Sequence, residues 1–144
     1  MAIQPNKKRL EKLMSKATQV PRSPNIITVT SNTTLNSEQS GAVILLGGES
    51  ATTLTLPPVQ AGLWFKVFVT NTERHVIAAQ TAVMQGNYRH NSAATTIVRV
   101  AISDKKTITM AASNRAVGET FEFFSDGVNW YVDGLTNTAI GLGT

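Results

Sequence analysis

The chain has 144 residues, 42% of them hydrophobic, which is enough for one domain with its own core. It has no cysteine, so disulfides and thiolate metal sites are excluded. The net charge of +4 is local: residues 1–24 hold six cations against Glu11 alone, whereas residues 25–144 hold seven basic and eight acidic residues. This is a near-neutral body with a basic arm, and the overall basicity does not indicate a nucleic-acid-binding body. Charged residues make up 15% of the chain, against roughly 25% in an average domain. A surface of Thr, Ser, Asn and Gln in their place suits contact with other protein surfaces. No apolar run is long enough for a signal peptide or a membrane helix, so no membrane partner is expected.

In chain order, the arm comes first. Leu10, Leu13, Met14 and Ala17 recur at helical spacing, with Lys7, Lys8, Arg9, Lys12 and Lys16 around them. That pattern predicts a short amphipathic helix, too short to be stable alone and best ordered against a partner. Pro21 and Pro24, on either side of Arg22, end it and favour an extended linker. Residues 1–24 are thus read as arm and linker, 25–135 as the body and 136–144 as a loose or neighbour-held tail.

From Asn25 onward the period becomes two. Candidate strands are 26–30, 42–46, 52–56, 64–69, 75–79, 96–102, 107–110, 119–124 and 128–132, separated by Gly, Pro and polar turns. About nine short strands at this spacing predict an all-β fold: an antiparallel β-sandwich, jelly-roll-like, with no helix after residue 24. Abundant threonine, 19 residues, fits a pleated surface. The closing hairpin is the clearest local signal, because Asp126-Gly127 supplies the positive φ of a tight turn between two hydrophobic runs. Alternation predicts Phe121, Phe123, Val128, Trp130 and Val132 as core, along with Phe65 and Val67. Trp64 also reads as core.

A search for chemistry finds no catalytic residues. His75 and His90 lie apart with no cysteine or second histidine at ligand spacing, so no metal is expected and both read as ordinary polar residues. There is no Gly-x-Ser-x-Gly elbow. The glycines at 47–48 and 141–143 lack the following lysine and helix of a phosphate cradle. Glu119 and Glu122 are the closest carboxylate pair, but their odd offset on a strand sends them to opposite faces. No cofactor is implied, and the chain reads as a non-enzyme. The arm reads as a docking element, with Lys7, Lys8, Arg9, Lys12, Lys16 and Arg22 facing an acidic surface and Leu10, Leu13 and Met14 as apolar anchors. No aromatic is interleaved with these cations, so base stacking is not suggested. Asn32-Thr33-Thr34 matches a glycosylation sequon and is read as chance.

Three stretches carry a resemblance. Residues 54–58 (Leu-Thr-Leu-Pro-Pro) followed by 61–67 (Ala-Gly-Leu-Trp-Phe-Lys-Val), residues 118–132 around the closing hairpin, and residues 40–45 resemble small β-rich virion proteins of tailed bacteriophages. The resemblance covers most of residues 26–135 and is structural in character. It implies a virion component assembled in the host cytoplasm, and a short chain with a terminal arm looks most like a head decoration (cement) protein. Such a protein would bind the major capsid protein on the outer head surface as a homotrimer and stabilise the lattice. The alternative is a tail fibre or receptor-binding module that recognises a host surface glycan, for which exposed aromatics on one face would be the distinguishing feature.

Overall fold

The computed structural model describes residues 23–93, 96–112 and 117–144. The arm residues Lys7, Lys8, Arg9, Leu10, Lys12, Leu13, Met14, Lys16 and Arg22 lie outside the described residues.

Twelve strands follow one another: β1 (Ile26–Val29), β2 (Thr33–Thr34), β3 (Val43–Leu46), β4 (Thr53–Thr55), β5 (Ala61–Val69), β6 (Val76–Ala78), β7 (Met84–Ala93), β8 (Thr96–Lys105), β9 (Thr107–Thr109), β10 (Thr120–Asp126), β11 (Trp130–Thr136) and β12 (Gly141–Gly143). The body is all-β, as the period-two pattern predicts. Among the described residues its one helical element is a single 3-10 turn, Ser37–Gln39, held by a reciprocal capping box between Asn36 and Gln39.

The strands form a seven-stranded sheet ordered β1-β3-β5-β10-β11-β7-β8 and a five-stranded sheet ordered β12-β9-β6-β4-β2. The sheets are mixed and not antiparallel throughout, as a jelly roll would require: β1–β3, β3–β5 and β11–β7 are parallel in one, β2–β4 and β4–β6 in the other. The reason lies in the winding. The first six strands alternate between the sheets, so each returns to its own sheet running in the same direction as before. Parallel neighbours need a crossover connection. Here the crossover from β1 to β3, or from β3 to β5, passes through a strand of the opposite sheet.

The core lies between the sheets. Alternation along β10 and β11 is strict, and Phe121, Phe123, Trp130 and Val132 are buried with Phe65 and Val67 of β5. Phe65 and Trp130 pack at a ring separation of 6.0 Å and a tilt of 50°, a favourable aromatic geometry. Leu54, Ile77 and Ile108 of the five-stranded sheet belong to the same cluster.

Four expectations are corrected. Val128 is exposed because the Asp126 turn extends through Asn129 and β11 starts only at Trp130. Trp64 is half-buried on the opposite side from its buried neighbour Phe65. Residues 84–93, which fall between the expected strands 75–79 and 96–102, form the ten-residue β7 with His90 on it: Met84 and Tyr88 reach the core while the polar residues between them face out. The tail is part of the body. Ile140 is buried, and β12 pairs with β9 in a register that sets Gly143 opposite Thr107, where a Cβ would force the threonine side chain to shift.

Candidate functional site: the outward face of the seven-stranded sheet

Strand parity that buries Phe65, Phe123 and Val132 turns their chain neighbours outward. On β5 these are Trp64, Lys66 and Phe68; on β10 Thr120, Glu122 and Phe124; on β11 Tyr131, Asp133 and Leu135. Register then assembles them into rows. Phe124 is the cross-strand partner of both Trp64 and Tyr131, so three aromatic side chains stand side by side across β5, β10 and β11. Phe124 is 48% exposed and Tyr131 41%. The next row is polar: Lys66 pairs with Glu122, Glu122 with Asp133, and Asp133 with Asn87 of β7.

The polar row is balanced in charge. Lys66 Nζ lies 3.1 Å from Glu122 Oε1, and Arg89 reaches Asp133 Oδ2 at 3.4 Å. Both pairs are open to solvent and contribute at most about 1 kcal/mol each to stability. Their carboxylates therefore keep free lone pairs for a ligand. A shallow depression of about 340 Å³ opens between the two rows, lined by Trp64, Phe124, Tyr131, Glu122, Asp133 and Asn87 among others. Gly86 borders it at φ +138°, where a Cβ would meet the Val132 carbonyl oxygen, so β7 and β11 come close together there only because the residue is glycine.

Tyr131 is anchored at its tip. Its hydroxyl donates to Asp126 Oδ2 at 3.0 Å, while Asp126 Oδ1 accepts the N–H groups of Asn129 and Val128 at 2.8 Å each. Those two amides, Asn129 first, hold the Asp126 carboxyl below the usual carboxylate range, with the tyrosine hydroxyl adding to the effect. The turn thus stays a carboxylate acceptor and fixes the tyrosine ring on the sheet.

The histidines lie elsewhere. His75 is fully buried in a network joining two loops, and His90 stacks on Tyr88 at 5.7 Å. Glu119 is buried at the start of the hairpin, accepting the Asn137 N–H, and Glu122 is exposed on the other face of the strand. Among the described residues no three His, Asp or Glu side chains gather as metal ligands. The aromatic row is what the sequence reading missed. Its signal was the odd offset of Trp64 from Phe65 and of Phe124 from Phe123.

No protein-family model, curated protein sequence or solved structure matches this chain.

Proposed function

We propose that this chain is a non-enzymatic virion adhesion module that binds a surface glycan through the outward face of its seven-stranded sheet. The observation that carries this reading is the in-register row of Trp64, Phe124 and Tyr131 beside a row of hydrogen-bonding side chains. Exposed aromatic rings offer flat apolar area with little entropy to lose, and sugars offer C–H faces to match. Carboxylates and an amide placed alongside supply acceptors and donors for hydroxyl groups. The virion setting rests on the sequence resemblance of residues 54–67 and 118–132. A glycan array probed with the full chain and with Phe124→Ala tests the reading: hits that the variant loses support it, and an empty array counts against it.

The second reading is the cement protein, a trimer that grips the major capsid protein with residues 1–24. It is favoured by the further apolar exposure of Ile26, Ile97 and Leu135, spread over the two edge strands and the middle of the same sheet. Co-sedimentation with undecorated phage heads tests it. Saturable binding that weakens when residues 1–24 are removed supports it, and full-length protein left in the supernatant at low salt counts against it.

A further inference from the structure

We infer that the depression between the two rows takes a neutral, unbranched oligosaccharide of β-linked, gluco-configured pyranoses, lying across the strands with its rings on Trp64, Phe124 and Tyr131. This deepens the glycan reading and rests on it.

Direction comes from the register. Trp64, Phe124 and Tyr131 lie on three neighbouring strands, so the row runs perpendicular to the chain direction and spans about 10 Å at the usual strand spacing. A stack on a continuous row needs a sugar whose C–H groups form flat faces, which is the case when the ring hydroxyls are equatorial. Those hydroxyls then point sideways. On one side they meet Glu122, Asp133 and Asn87, two residues further along each strand and therefore about 7 Å from the aromatic row.

Charge selects neutrality. Among the described residues, the cations paired within the polar row, Lys66 and Arg89, are matched by Glu122 and Asp133, while Arg99 stands one strand farther out, opposite Arg89 on β8. A sulfated or carboxylated sugar would have to displace one of those pairs and would then face a released carboxylate. A neutral sugar needs neither change: it uses the free lone pairs of the two carboxylates and the donor and acceptor of Asn87. The platform is also preformed, because the Asp126 acceptor holds Tyr131 at its hydroxyl.

The test titrates the full chain with cellotetraose and chitotetraose as neutral probes, and with a sulfated and a sialylated oligosaccharide as anionic ones, by ligand-observed NMR and calorimetry. Phe124→Ala, Tyr131→Ala and Glu122→Gln serve as variants, and circular dichroism confirms that each is folded. Saturable binding of a neutral probe, weakened about tenfold or more by either aromatic truncation and by Glu122→Gln, is the expected result. Anionic probes bound in preference, with loss in Phe124→Ala, would overturn the neutral class while leaving the glycan reading in place. No binding of any probe at millimolar concentration would overturn both. Head binding that Phe124→Ala abolishes, with no sugar bound, would do the same and hand this face to a protein partner.

Discussion

His75 donates its Nε2–H to Oδ1 of Asn71 across 2.5 Å, and this fixes the imidazole as the neutral tautomer, because Nδ1 accepts the Thr52 N–H at 3.2 Å. Asn71 passes the connection on, its amide donating to the Gly48 carbonyl. One buried side chain therefore ties the loop after β3 to the loop after β5.

This arrangement predicts an acid-sensitive fold. Burial lowers the pKa of His75, with the Glu73 carboxylate opposing more weakly. The imidazolium also lacks the lone pair that Thr52 needs. A histidine whose folded-state pKa is depressed contributes stability that is complete above its ordinary value of about 6.5 and is lost as pH falls through the folded-state value. Thermal unfolding of the native chain should therefore drop in Tm between pH 7 and pH 5. His75→Gln should start lower at pH 7 and show a flatter dependence over the same range. Parallel curves for the two proteins would refute the assignment.

Glu119 predicts a dependence of the opposite sign. Burial raises its pKa, more than the N–H groups of Asn137 and Thr138 lower it. A carboxyl with a raised folded-state pKa favours the folded state at low pH, and that contribution disappears as pH rises through the folded-state value. Relative to Glu119→Gln, the native protein should lose stability from pH 4 to pH 7. Urea unfolding at several pH values measures the difference in slope.

Adjacent phenylalanines should behave unlike each other. Phe123 is completely buried, and Phe123→Ala should cost about 3–5 kcal/mol. Phe124 is 48% exposed, and Phe124→Ala should cost less than about 1 kcal/mol. Denaturant midpoints of the two variants would settle the parity of β10, and equal losses would contradict it.

Gly86 should tolerate no side chain. At φ +138° a Cβ would lie within 2.0 Å of the Val132 carbonyl oxygen, an atom of the parallel β7–β11 pairing. Gly86→Ala should destabilise the fold by at least about 1–3 kcal/mol and loosen β7, seen as faster amide exchange in Asn87 and Tyr88. Protection equal to that of the native chain would rule this out.

Much of the fold was legible in the sequence because it depends on neighbours in the chain. The period of two marked most strands, the same alternation placed Phe121, Phe123, Trp130 and Val132 inside, and Asp126-Gly127 marked the last turn. The strand β7 was hidden because, among its described side chains, it carries two core residues, Met84 and Tyr88, in a run that is otherwise mostly polar. Its identity as a strand comes from pairing with β8 and β11, which no local pattern encodes.

The candidate site divides in the same way. Sequence alternation alone sets Trp64 opposite Phe65 and Phe124 opposite Phe123, so each aromatic's outward direction is a local property of its strand. That the two directions coincide is a property of the whole molecule. β5 and β10, some sixty positions apart in the chain, become neighbours because both must bury an apolar face in one core, and hydrogen-bond register then places Trp64, Phe124 and Tyr131 in a line.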